Sequence, residues 1–144
     1  MNFTMERLRK LRRLAPGEIL CLGQAWLLFW AIDLALRAMP FRSLLNCIQR
    51  IPASFVKLPL NTEAAAPRLA WLVERAAGLS PLNGTCLRQA LVLLCLLRRR
   101  GRSGLVQIGV ARVSGALHAH AWIEQDGRVL LGYAGENQYT PLFP

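Results

Sequence analysis

Acidic side chains are scarce in this chain: eight Asp and Glu stand against eighteen Lys and Arg among 144 residues, a formal charge of +10 at pH 7. Sixteen of the eighteen cations are arginine. A surface so biased favours an acidic partner: a peptide, a nucleic acid or an anionic membrane. The arginines cluster at Arg7 to Arg13 and Arg98 to Arg102, with few aromatic side chains interleaved to stack on bases, so no nucleic-acid partner is expected. Arg98-Arg99-Arg100 also suits a plainer role, because cations at a helix C-terminus complement its dipole.

Cysteine pairs are missing as well. Cys21, Cys47, Cys86 and Cys95 form no CxxC motif and are too sparse for a disulfide scaffold, which argues against a zinc site and for a reducing, cytoplasmic setting. No metal and no cofactor are expected. Nor is there a long uninterrupted apolar stretch: the run Ile19 to Ile32 is interrupted by Gln24 and followed by Asp33 and Arg37, short of the roughly 20 residues a spanning helix needs. Pro16-Gly17-Glu18 separates that run from the basic block, which does not match a signal peptide. The reading is a core or surface-docked helix, with peripheral membrane contact as an option. Internal repeats and low-complexity tracts are absent, and the length fits one domain.

What is present reads in order. Pro16 at a first helical turn opens a helix to about Met39, stopped by Pro40. Phe41 to Ile51 forms a shorter helix, and Pro52 and Pro59 mark a connector. Thr62-Glu63 or Pro67 opens a third helix, closed near Gly78. Thr85 is an N-cap candidate for a fourth helix, Cys86 to Arg100, ended by Gly101. Its centre, Ala90 to Leu97, is apolar all round and belongs inside the fold. Beyond Gly104 the period changes to two: strands at Leu105 to Val113 and Leu117 to Glu124 around a Ser114-Gly115 turn, then Arg128 to Leu131 after an Asp126-Gly127 hairpin. Helices first and an antiparallel sheet after them make an α+β plan.

The chemistry-bearing residues fall at two points of this plan. Cys86 begins the fourth helix, where the positive end of the macrodipole favours a thiolate and free backbone N–H groups can hold an oxyanion. His118 and His120 share one face of a strand with Trp122 and Glu124, about 7 Å apart, and alternation alone does not choose between them. A thiolate and an imidazole are the parts of an acyl-transfer site. Cys95, nine residues from Cys86, falls on the opposite face of the helix and reads, with Cys21 and Cys47, as a small buried residue. A two-residue turn at Asp126-Gly127 pairs Gln125 with Arg128, which places Gly132 opposite Ala121 and Tyr133 opposite His120. Asp126 itself, about 20 Å along the strand from His120, is a poor orienting group and a good turn residue. Glu136 and Asn137 follow the return strand, within reach of the same end.

Several blocks resemble one family. Pro67-Arg68-Leu69-Ala70-Trp71-Leu72-Val73-Glu74-Arg75-Ala76-Ala77, Cys86-Leu87-Arg88-Gln89-Ala90-Leu91, Leu96-Leu97-Arg98-Arg99-Arg100-Gly101, and His120-Ala121-Trp122-Ile123-Glu124 before Asp126-Gly127-Arg128 are similar in order and spacing to the transglutaminase-like leader peptidases of lasso-peptide biosynthesis, the stand-alone peptidase half of a split maturation protein. The ending Tyr139-Thr140-Pro141-Leu142 is similar too. The resemblance implies a papain-like, transglutaminase-like fold: one domain over 1–144, with a helical part to 57 and a catalytic core from 58. It implies a cysteine protease that removes the leader from a ribosomally made precursor, with Cys86 as nucleophile and His120 as base. Implied partners are the precursor peptide, a small leader-recognition protein and an ATP-dependent macrolactam synthetase. The family's Asp on the return strand corresponds to Gly132, leaving Glu136, Asn137 or a bare Cys86–His120 dyad. Acyl transfer to an amine, and a non-enzymatic membrane-associated scaffold, are the rival readings.

Overall fold

The computed structural model describes residues 14–52, 65–81, 85–132 and 139–142. Four helices precede a four-stranded antiparallel sheet: α1 (Pro16–Ala38), α2 (Phe41–Gln49), α3 (Ala65–Leu79), α4 (Cys86–Arg99), β1 (Leu105–Val113), β2 (Ala116–Gln125), β3 (Arg128–Leu131) and β4 (Thr140–Pro141). The spatial order is β3-β2-β1-β4. The expected α+β plan is thus the one observed.

Helix α4 is the centre of the molecule. Every residue from Ala90 to Leu97 is buried, as an all-apolar segment requires when α1, α2, α3 and the sheet all pack on it. Leu69, Leu72 and Val73 from α3, Phe29 from α1 and Ile123 from β2 fill the same core. The helix ends where Gly101 enters the left-handed region at φ 71°, with Gly101 N–H on Arg98 O and Arg102 N–H on Leu97 O. The arginines at this end have the plain role expected of them. Arg98 donates to the Gln49 carbonyl of α2 at 2.6 Å, and Arg100 to the Leu96 carbonyl at 3.1 Å.

Two charged contacts fix α1. Glu18 in its first turn accepts Arg68 of α3 at 2.6 and 3.2 Å, an arrangement in which the guanidinium hydrogen bond holds the Glu18 carboxyl below its usual range. Asp33, buried, pairs with Arg88 of α4 and with Arg37 one turn on. Arg88 meets Asp33 near one end of α1, while Arg100 lies 3.6 Å from Cys21 near the other. The two helices therefore run antiparallel.

Three details differ from the sequence reading. Helix α2 stops at Gln49, with Arg50 as its C-cap, rather than at Ile51. A fourth strand, β4, pairs with β1 at Gly109↔Pro141 and Val110↔Thr140; two residues, one of them a proline tolerated at a sheet edge, are too short to show a strand period in the sequence. The hairpin register also changes. Gln125↔Arg128 and Glu124↔Val129 pair as counted, but Ile123 pairs with Leu131, so a bulge at Ile123/Glu124 leaves Leu130 as the extra residue. Gly132 is consequently one position out of the register that a regular hairpin predicts.

Candidate active site

Cys86 is the first residue of α4, half-buried, and carries no disulfide. Thr85 precedes it as N-cap, its hydroxyl accepting Arg88 N–H at 3.4 Å, and Gln89 N–H closes the first turn on Thr85 O. The Cys86 N–H belongs to the first turn, which has no intrahelical acceptors for its donors. Two residues on, Arg88 ties this turn to the buried Asp33. The helix start is thus held by a hydroxyl cap and by a charge pair to α1.

The histidines separate clearly. His118 is exposed, whereas His120 is half-buried and has three neighbours. Its Nε2 lies 2.6 Å from the Gly132 carbonyl oxygen; its ring sits 5.2 Å from the Tyr139 ring and stacks beside Trp122 at 6.3 Å. A carbonyl can only accept, so Nε2 carries the hydrogen and donates it. In the neutral ring Nδ1 is then left with the lone pair, the state in which an imidazole can take a thiol proton.

Gly132 occupies the position where the resemblance placed an acid. Its φ is +84°, and a Cβ there would lie 2.7 Å from the Ala121 carbonyl oxygen and 3.0 Å from the Trp122 Cβ. No side chain fits that backbone without displacement. The group that orients His120 is therefore the main-chain carbonyl of Gly132. Sequence reasoning missed this because a carbonyl is present at every position and no residue pattern says which one will meet the ring. It also missed Tyr139, which β4 delivers by pairing with β1. Glu136 and Asn137, along with Tyr133, lie outside the described residues. Asp126 sits in the turn at φ 52° with Gly127 at φ 75°, the turn role expected of it.

Ala121 and Ile123 face the helical core, and His120 and Trp122 share the other face of β2 with Tyr139. Gly109 of β1 is covered there, since a Cβ on it would fall 2.8 Å from the Trp122 ring. Helix α4 packs on β2 and β1. Leu97 and Ile123 meet around Gly104. From that point Cys86 lies about 16 Å back along the helix and His120 about 10 Å back along the strand. The structure gathers His120, Gly132, Trp122 and Tyr139; among the described residues no hydrogen bond joins the Cys86 sulfur to them.

The remaining thiols behave as the helical spacing predicts in part. Cys95 and Cys21 are buried, and burial pushes Cys95 up to about 11 and Cys21 upward as well, the latter offset by Arg100. Cys47, expected to be buried, is exposed on α2. It lies three residues after Leu44 and one before Ile48, on the flank of the buried stripe of α2. A cleft of about 320 Å³ opens beside the Asp126-Gly127 turn, lined by Ala66, Pro67, Arg102, Gln125, Asp126, Arg128 and Leu130. It contains neither Cys86 nor His120. Among the described residues no group of three His, Cys, Asp or Glu side chains is placed to hold a metal ion.

Comparison with protein families gives a match to the transglutaminase-like superfamily over residues 28–144. The match begins within α1 and includes Cys86, His120 and Gly132. Comparisons with curated proteins and with solved structures give no match.

Proposed function

Since the chain belongs to the transglutaminase-like superfamily, which includes cysteine proteases and acyl transferases, we propose that it is a cysteine peptidase that removes the leader from a ribosomally made lasso-peptide precursor. The observation that carries the catalytic part is the Nε2 to Gly132 O hydrogen bond, which leaves Nδ1 of His120 as the basic nitrogen. The order and spacing of the sequence blocks support the substrate class.

In this mechanism His120 takes the Cys86 proton, and the sulfur attacks the carbonyl carbon at the leader-core junction. A C–S bond forms, and the carbonyl oxygen becomes an oxyanion that the Cys86 N–H can hold. Collapse breaks the C–N bond as His120 gives its proton to the departing amine. Water, deprotonated by His120, then attacks the thioester and releases the acid and the thiol. The reading requires the Cys86 thiol to come within hydrogen-bond reach of Nδ1 when the peptide binds. The Gly132 carbonyl stabilises the transient imidazolium with a partial charge instead of a full carboxylate. The basic surface favours an acidic leader or partner, with a leader-recognition protein and a macrolactam synthetase as the expected company.

Mass spectrometry of a precursor peptide incubated with wild type, Cys86→Ala and His120→Ala tests the reading, with and without the recognition protein. Cleavage with a gain of one water should occur with wild type and disappear in both variants. Retained cleavage by Cys86→Ala would overturn the assignment, and a product carrying an added amine would assign the acyl-transfer chemistry instead.

A further inference from the structure

The outer face of α1 is apolar from end to end. Ile19, Leu20, Trp26, Leu27, Trp30 and Leu34 are exposed at helical spacing, with Leu27 at 63 % and Leu34 at 69 %. Gly23 and Ala31 fill the gaps, so no charge interrupts the stripe. Trp26 and Trp30 stand edge to face at its middle, 6.0 Å between ring centroids. A soluble surface rarely leaves so continuous an apolar stripe uncovered.

What covers it is indicated by the charges at its ends. Arg37, with 73 % of its side chain exposed, closes the C-terminal end. Arg7, Arg9, Lys10, Arg12 and Arg13 precede the N-terminal end in the sequence. A second copy of this chain is a poor occupant. Antiparallel pairing would set each basic block against the other copy's Arg37 end, and parallel pairing would set block against block. An anionic surface meets both ends favourably and accepts indole rings at headgroup depth.

By length and composition α1 could also cross a bilayer, yet Cys21, Ala25, Phe29, Ile32 and Asp33 are buried against the protein and Asp33 is paired with Arg88. One side of the helix is already occupied. We infer that α1 lies in the plane of an anionic lipid surface, its outer stripe in the headgroup and acyl boundary and its inner stripe on the protein core. This docking is independent of the thiol chemistry.

The test is co-sedimentation of the full-length protein with vesicles of phosphatidylglycerol and phosphatidylcholine, and with phosphatidylcholine alone. Wild type should bind the anionic vesicles and bind the neutral ones more weakly. Leu27→Glu with Leu34→Glu, both at solvent-exposed positions, should keep the helical circular dichroism and bind at least about tenfold more weakly. A second measurement needs no variant: brominated lipid should quench the tryptophan emission of wild type. Equal binding by wild type and variant, no binding, or no quenching would overturn the inference. A dimer in sedimentation equilibrium that the double substitution dissolves, without vesicle binding, would hand the stripe to a second copy.

Discussion

Restoring an acid at position 132 should damage this protein. Gly132→Asp would place the carboxylate where the resemblance expects one, but the backbone there has φ +84° and a Cβ would lie 2.7 Å from the Ala121 carbonyl oxygen. Left-handed backbone costs a side chain about 1–2 kcal/mol. Forcing a contact into a packed site adds about 1–3 kcal/mol. The sum, about 2–5 kcal/mol, corresponds to a fall in Tm on the order of 10 °C for a chain of this size. Any shift that relieves the contact also moves the Gly132 carbonyl away from Nε2, so precursor cleavage should fall too. Urea or thermal unfolding of wild type, Gly132→Ala and Gly132→Asp measures the effect. Alanine carries the same Cβ without the charge, so both variants should lose most of the stability. Unfolding of both within about 0.5 kcal/mol of wild type, the ordinary scatter of surface changes, would refute the backbone argument. So would a Gly132→Asp enzyme faster than wild type.

Two further outcomes follow from buried groups. Asp33→Ala should destabilise the protein by about 2–4 kcal/mol in urea unfolding, because it removes the carboxylate that pairs with Arg88, two residues from Cys86; Asp33→Asn, which keeps the shape, should recover only part of this. The pH dependence follows from Cys95, raised to about 11 by burial. Its unfolded thiol ionises near 9, so the contribution is whole below pH 9 and is lost as pH rises toward 11, with a slope of at most about 1.4 kcal/mol per pH unit. Cys21 shifts the same way, and Cys95→Ala should flatten the alkaline fall. Glu18 acts at the other end: its lowered carboxyl contributes above the ordinary carboxylate range and is lost as pH falls through the depressed value, so Arg68→Ala should make acid unfolding begin with a shallower slope.

Much of the architecture is legible in the residues because local rules and tertiary packing agree. Pro16, Pro40, Thr85 and Gly101 bound helices where their backbone chemistry says they should, and the change of period after Gly104 marks the sheet. Ala90 to Leu97 is apolar on every side, so it had to be the central helix. Cys47 is expected to be buried because thiols usually are, but its exposure depends on how the short helix α2 leans on α4.

The sequence by itself determined an α+β domain, a thiol at a helix start, and two histidines on one strand face, since each depends on spacing and on the intrinsic conformation of a few residues. Strand alternation left His118 and His120 equivalent and the resemblance named His120; the tertiary structure supplied the physical difference, an exposed His118 against a His120 whose neighbours Gly132 and Tyr139 adjoin β3 and β4. It alone showed that the partner of His120 is a carbonyl, in a hairpin whose extra residue, Leu130, shifts Gly132 out of the regular register. A bulge is a property of paired strands. No pattern within one strand encodes which main-chain oxygen will lie 2.6 Å from an imidazole.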